Sequence, residues 1–309
     1  MKHFSIIIPL YNNEKDIKKI FSHHLKILND LDNIRTEVIY IDNCSDDKTY
    51  KILKEKIKLN KSFKIFKSKL NESDSPGLAR NIGIKKAKSK YLLFLDTDDK
   101  LKIKNVKKFT NIILRNKYSR IFLKKKTYLQ KKRYLGKKNL KFFLKERNDT
   151  ESIGIIFLKK KLLKNNIFFK KGFFEDVLFT LKHSIELNGK DYSTNSIEYL
   201  KNKNKNSITV SNKKLFIKSI YKIKAWRQVD LYLKNLSPKI LSYKNLLPDI
   251  QYRIRGEFFN ELKKIERSNL GSIDKSKIIK TINILLNKYV LKDFKVLTKK
   301  DLFIKKHQI

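Results

Sequence analysis

The chain has a single cysteine, Cys44, in 309 residues. One thiol closes no intrachain bridge, so a disulfide framework is excluded and a reducing compartment is expected. Glycine (8) and proline (4) are scarce, while lysine, asparagine and isoleucine abound, a pattern that points to an AT-rich coding bias. Leu10-Tyr11-Asn12-Asn13 contains no glycine, so no Gly-rich phosphate loop follows the first apolar segment. A nucleotidyltransferase of that type is disfavoured, and no P-loop occurs elsewhere. No His/Cys cluster has metal-site spacing, and no Ser-His-Asp arrangement stands out. No uncharged apolar run approaches the ~18–20 residues a spanning helix needs. The first residues enter a strand-like segment without a signal-peptide layout. A cytoplasmic protein is expected, with the inner face of the cell membrane as a candidate peripheral surface. Acid is short too: 30 Asp+Glu stand against 74 Lys+Arg, a formal net charge of +44. Part of that excess follows from the coding bias. The rest would attract polyanions: nucleic acid, anionic membrane or diphosphates.

What the chain does have is a core. Hydrophobic residues make up 40% and aromatics 11%, enough to exclude a disordered chain. Strands are predicted at Phe4–Leu10, Glu37–Asp42, Phe63–Phe66 and Tyr91–Leu95. Apolar spacing of three and four predicts helices over 14–30 and 46–59, and a third helix through Ala87. This βαβα alternation predicts a mainly parallel sheet flanked by helices, with strand C-termini on one edge. Asp42 and Asp96 both end strands, so both should lie on that edge. The stretch 101–171 mixes helix with strands near Arg120–Leu123 and Gly154–Phe157. After about residue 212 the pattern turns helical, basic and aromatic, with Phe216, Ile220, Ile223, Trp226, Val229, Leu233 and Leu236 at helical spacing. Two domains are read, 1–212 and a basic helical extension, 213–309.

The most telling segment is Asp96-Thr97-Asp98-Asp99, directly after the apolar run Tyr91–Leu95. Carboxylates this close repel unless a cation joins them. A hard ion such as Mg²⁺ or Mn²⁺ takes oxygen ligands and bridges to substrate phosphates. In isolation such a segment is as well read as a solvated acidic turn. Its neighbours shift the balance. They are Ser5-Ile6-Ile7-Ile8-Pro9-Leu10-Tyr11-Asn12, Ile41-Asp42-Asn43-Cys44-Ser45-Asp46-Asp47-Lys48-Thr49, Gly77-Leu78-Ala79-Arg80-Asn81-Ile82-Gly83 and Gly172-Phe173-Phe174-Glu175-Asp176.

In order, spacing and residue type these segments resemble the family 2 glycosyltransferases, which carry the GT-A nucleotide-sugar fold. The resemblance covers roughly residues 3–212. It implies that Pro9, Tyr11 and Asn12 lie against the nucleotide base, and that Asp42 and Asn43 accept hydrogen bonds from it. The family pattern has Asp at the second of these positions, where this chain has Asn43. An amide oxygen still accepts from a pyrimidine N–H, so uridine fits and other bases stay open. Asp47 is better read as a helix cap. The resemblance gives Asp96 to the ribose and Asp98, with Asp99, to the metal. It gives Arg80 to the carboxylate loop or the phosphates, Asp176 to the general base with Glu175 beside it, and Lys201 and Lys203 to the diphosphate. From the residues alone, Glu175-Asp176 reads as an acidic helix N-terminus, and Arg80 suits a carboxylate as well as a phosphate.

The activity implied is inverting, metal-dependent transfer from a nucleoside-diphosphate sugar to a glycan or lipid-linked glycan, in bacterial surface-polysaccharide assembly. The C-terminal helices are candidates for an acceptor surface, an anionic membrane contact or a homodimer contact, and otherwise for an amphipathic cap. The competing class is a basic nucleic-acid-binding protein without catalysis. Only the charge favours it, since no zinc finger or RNP segment is present.

Overall fold

A computed structural model describes residues 3–69, 75–115, 117–126, 152–187, 191–202, 215–236, 256–257, 259–268, 271–273 and 275–280. The described residues up to Asn202 belong to one compact unit, and those from Leu215 on to another. The expected boundary near 212 lies outside the described residues.

The first unit is built on one eight-stranded sheet. Its strands are β1 (Phe4–Leu10), β2 (Thr36–Asp42), β3 (Phe63–Lys67), β4 (Tyr91–Phe94), β5 (Lys100–Ile103), β6 (Arg120–Lys126), β7 (Ile155–Leu158) and β8 (Asp191–Leu200). They lie in the order β3-β2-β1-β4-β7-β6-β8-β5. The half β3-β2-β1-β4 is parallel throughout. Beyond β4 the sheet turns mixed. β7 runs antiparallel to both β4 and β6, β6 is parallel to β8, and β5 is antiparallel to β8. Pro9 sits in an interior strand because β4 pairs with β1 only as far as Ile7, so the missing N–H leaves no gap in that ladder.

The helices are α1 (Ile17–Asp30), α2 (Thr49–Lys56), α3 (Gly77–Lys86), α4 (Val106–Arg115), α5 (Lys159–Lys164) and α6 (Asp176–Glu186). Ile17, Ile20 and Ile27 of α1, Leu53 of α2 and Phe109 and Ile112 of α4 bury against one face of the sheet. Ala79 and Ile84 of α3, Leu162 of α5 and Phe179 of α6 bury against the other. A sheet covered on both faces needs apolar side chains on both sides of each strand. Ile6, Ile7 and Ile8 of β1 are all fully buried, as are Val38, Ile39, Tyr40 and Ile41 of β2.

Two packing details set the geometry of the site. Gly83 lets α3 press on β1: a Cβ there would lie 2.3 Å from Ile7 Cγ2. Phe94, Phe157, Phe169 and Phe179 form an aromatic cluster, with Phe169 and Phe179 stacked at 3.9 Å. That cluster fixes α6 and the loop before it against the same sheet face as α3.

The second unit contains α7 (Leu215–Lys234) and helical residues within 256–266 and 275–280. Ile223, Trp226, Val229 and Leu233 of α7 are buried, as their spacing predicts. Lys222 joins Glu257 at 2.7 Å and Glu261 at 2.8 Å, and Ser219 Oγ donates to Glu261 at 2.7 Å. Among the described residues no helix is long and apolar enough to cross a membrane.

Candidate active site

The C-terminal edge of the parallel half gathers most of the residues singled out in the sequence. Asp42 closes β2 opposite Leu10 of β1, and Asp96 follows β4 on the other side of β1. Asp42 is fully buried. Its Oδ2 accepts from the Ser45 amide at 3.3 Å, while Oδ1 has no hydrogen-bond partner among the described residues. Asn43 is buried beside it, and its Nδ2 donates to Ser75 O at 3.4 Å.

The loops after β1 and β2 are stitched together. Asn12 N donates to Ser45 Oγ at 3.0 Å, and Asp46 N returns a bond to Asn12 Oδ1 at 2.9 Å. Tyr11 OH reaches Asp46 Oδ2 at 3.4 Å. Asp47 accepts from Thr49 N at 2.9 Å, at the start of α2, and from Glu14 N at 3.0 Å. Burial would raise the Asp47 pKa, but these bonds and that from the Thr49 hydroxyl hold it below the usual range. Asn12 and Cys44 have positive φ, 49° and 59°, a conformation uncommon outside glycine.

One side chain organises the other half of the site. Arg80 on α3 is buried, and its Nη2 donates to Asp96 Oδ1 at 2.7 Å. Its Nη1 donates to Glu175 Oε1 at 3.0 Å and lies 3.9 Å from Asp176 Oδ1. Burial alone would lower the guanidinium pKa, but Asp96, Asp176 and Glu175 hold it above its usual value. Three carboxylates about one cation leave surplus negative charge. Burial first, then Asp176, push the Glu175 pKa up to about 8 against the pull of Arg80. A Cβ on Gly77 would meet Glu175 Cγ at 2.8 Å, so the start of α3 must be bare for Glu175 to sit there.

Backbone turns aim the acidic pair. Gly172 has φ 96° and Phe174 has φ 60°, the latter a strained value for a bulky residue. Asn81 receives the incoming loop through two bonds, Nδ2 to Phe169 O and Phe169 N to Oδ1, both 2.9 Å. Asp176 opens α6, where a carboxylate complements the helix dipole. Ser152 Oγ donates to Asp176 Oδ1 at 2.8 Å.

The remaining acids divide sharply. Asp98 is exposed at the edge, while Asp99 is buried. Asp99 Oδ2 accepts from Tyr199 OH at 2.6 Å and Oδ1 from Asn202 N at 2.8 Å. Burial, opposed by the Tyr199 bond and reinforced by Asp96, pushes its pKa up to about 6. Among the described residues no cluster of three or more His, Cys, Asp or Glu side chains is arranged to enclose a metal. An exposed Asp98 nevertheless suits an ion whose other ligands come from substrate phosphates and water. Lys201 is exposed where the chain leaves β8. Lys203 lies outside the described residues.

The sequence matches Glycosyl transferase family 2 over residues 5–176, more than half of the chain. The chain belongs to this family. Over 99 residues it is 36% identical to the poly(ribitol-phosphate) beta-N-acetylglucosaminyltransferase TarS of Staphylococcus aureus. That alignment takes in 32% of this chain and 17% of TarS, so the chain spans only a fraction of that relative. The fold agrees with the crystal structure of S. aureus TarS 1–349 in complex with UDP-GlcNAc. The TM-score is 0.54 at 19% identity, covering 99% of this chain and 79% of that one. The mannosyltransferase PcManGT of Pyrobaculum calidifontis, solved with GDP-Man and Mn²⁺, aligns with TM-score 0.52 at 10% identity, covering 99% and 84%.

Within this family 2 fold, three contacts at the site escaped the sequence. Ser152 sits in Ser152-Ile153-Gly154, which carries no pattern of its own; only Gly154, at φ 68°, marks a turn. Tyr199 lies in β8 and Asn202 just past its end, and the polar residues of that strand hid its alternation.

Proposed function

We propose that the chain transfers a sugar, with inversion at the anomeric carbon, from a nucleoside-diphosphate donor to an acceptor hydroxyl. The observation that carries this reading is the Arg80 cluster. One buried guanidinium holds Asp96, on the donor side, and the Glu175-Asp176 pair, on the acceptor side.

Asp176 takes the proton of the acceptor hydroxyl as it attacks. Ser152 and Arg80 hold its Oδ1 side and so fix the carboxylate. Inversion needs only one displacement, so no covalent enzyme intermediate forms. Asp42 Oδ1, buried with no donor among the described residues, suits an N–H of the base, and a pyrimidine such as uracil supplies one. Pro9, Tyr11, Asn12 and Asn43 border the same place. Asp96 is proposed for the ribose, and Lys201 and Lys203 for the diphosphate. Asp98 would hold Mg²⁺ or Mn²⁺, which when bound offsets charge on the departing diphosphate.

The acceptor is proposed to be a glycan or lipid-linked glycan of the bacterial surface, met at the cytoplasmic side of the membrane. That setting follows from the family resemblance by analogy. The test is a thermal-shift panel of nucleoside diphosphates and nucleotide sugars, with and without Mn²⁺. Ligand binding to the native state raises the melting temperature. A metal-dependent rise with UDP-sugars, lost in Asp98→Ala, supports the reading. No rise with any nucleotide, beside a rise with oligonucleotides, overturns it in favour of nucleic-acid binding.

A further inference from the structure

The geometry points to Asp99 as a positioning residue that tethers the exit of β8, and with it Lys201, to the carboxylate loop, leaving the cation to Asp98. This rests on the donor reading above and deepens it.

Three observations converge. Asp99 is 4% exposed, whereas Asp98 next to it is exposed, so the loop turns one acid outward and one inward. Both oxygens of the inward acid accept protein donors, Tyr199 OH at 2.6 Å and Asn202 N at 2.8 Å. The strand register agrees: Lys100 of β5 lies opposite Leu200 of β8 in an antiparallel pair, so one step further places Asp99 opposite Lys201.

Each oxygen keeps a second lone pair, but Asp99 is buried, so an ion carrying its own water and phosphate ligands could reach it only by displacing the groups packed there. Tyr199 is fully buried, so its hydroxyl would lose its acceptor, whereas the exposed Asn202, past the end of the ladder, could turn its amide to water. Leaving a buried donor unsatisfied is costly. Keeping both bonds has a direct consequence. The Asn202 bond sets where the backbone leaves β8, and so where the cation of Lys201 stands relative to the exposed Asp98. The acidic segment then carries out three tasks in sequence: Asp96 receives Arg80, Asp98 faces outward, and Asp99 fixes a basic residue beside them.

The test uses the full chain and the variants Asp99→Asn, Asp98→Asn, Tyr199→Phe and Lys201→Ala. In the free protein, amide hydrogen exchange at Asn202 should be protected in wild type and in Asp98→Asn, and accelerated at least tenfold in a further variant, Asp99→Ala, because Asn at that position would keep an oxygen for the amide. With UDP present, Mn²⁺ affinity should fall at least tenfold in Asp98→Asn and by less than threefold in Asp99→Asn and Tyr199→Phe. Donor KM should rise in both Asp99→Asn and Lys201→Ala. The double variant should be no worse than the poorer single one, since the two act as a unit. Loss of Mn²⁺ affinity in Asp99→Asn as large as in Asp98→Asn overturns the proposal, as does unchanged exchange at Asn202. If wild type binds no nucleotide, the donor reading fails, while the exchange arm still decides the tether.

Discussion

Among the described residues of the first unit two arginines are buried, and their surroundings differ. Arg120, on β6, meets Asp191 of β8 through Nε, at 2.9 Å, and through Nη2. Its Nη1 donates to His183 O at 3.1 Å and to His183 Nδ1 at 3.0 Å. Because arginine only donates, His183 Nδ1 must carry no proton. The Asp191 side chain is 4% exposed, so this pair is sealed. Arg80 faces Asp96, 33% exposed, and Asp176, 22% exposed. The two arginines grip opposite ends of α6, Arg80 at Asp176 and Arg120 at His183. Arg120 sits in a closed pair of one cation with one anion, which suits architecture. Arg80 sits in an open cluster of one cation with three carboxyl groups, in which Asp96 and Asp176 are partly open to water and Glu175 is pushed toward its protonated form.

The largest expected effect sharpens that contrast at the open end. Asp176→Asn keeps an oxygen for Ser152 to donate to but cannot take a proton. Turnover should fall by about 10²–10⁴-fold, the usual contribution of a general base, while donor-induced thermal shifts persist. Full turnover in that variant would remove Asp176 from the chemistry.

Next comes a direct attempt to break the comparison. Removing one partner of a buried ion pair costs about 3–5 kcal/mol. Arg120→Met should show a loss of that order in denaturant unfolding, with KM for the donor unchanged in the fraction that stays folded. Arg80→Met should lose less stability, because water screens Asp96 and Asp176, and should lose turnover as well. Equal losses of stability and activity in the two variants would mean that the clusters are not different in kind.

The parallel half of the sheet and the placing of Asp42 and Asp96 on one edge were legible because each signal is local, whereas Arg80 joined them only through the family resemblance. Ile6-Ile7-Ile8 and Tyr91–Leu95 are continuous apolar runs, and a parallel strand buried on both faces reads that way. β5 and β8 were not legible. Lys100-Leu101-Lys102-Ile103 is short and half charged, and Asp191–Leu200 carries Asp, Ser, Thr, Asn and Glu. Their partners are each other, about a hundred residues apart, so no local pattern signals the pairing. For the same reason nothing in the acid run separates Asp98 from Asp99 in sequence. The inward turn of Asp99 depends on Tyr199, and sequence spacing cannot show which acid meets a distant hydroxyl. The segments 46–48 and 14–16, expected as helix, instead form the stitched loops. Asp47 accepts from the Glu14 and Thr49 amides and the neighbouring Asn12 from the Asp46 amide, bonds that compete with helix formation.

A smaller effect probes how Arg80 is delivered to its cluster. Gly83→Ala would add a methyl against Ile7. Alanine favours helix by roughly 0.5–1 kcal/mol over glycine, but overpacking costs about 1–3 kcal/mol. A net loss of stability is expected, with α3 shifted off β1 and turnover reduced along with it. A stabilised variant with full activity would show that α3 can move without disturbing Arg80.

The smallest effect is a slope. Glu175, pushed up to about 8, binds a proton more tightly folded than unfolded, where its ordinary value is 4.5. The sign follows: between those values the native state holds the extra proton, so stability falls as pH rises. Glu37, held low by Lys64 and by bonds from Ser5 and the Lys88 amide despite its burial, acts with opposite sign at more acid pH. His3 and His23, lowered mainly by burial, are common to wild type and variant. The melting temperature of wild type should therefore decline more steeply from pH 5 to 8 than that of Glu175→Gln, which keeps an oxygen for Arg80 without an ionisable proton. Parallel profiles would mean that Glu175 is charged throughout, and that Arg80 tolerates three ionised neighbours. The open cluster would then differ from the sealed one only in its exposure to water.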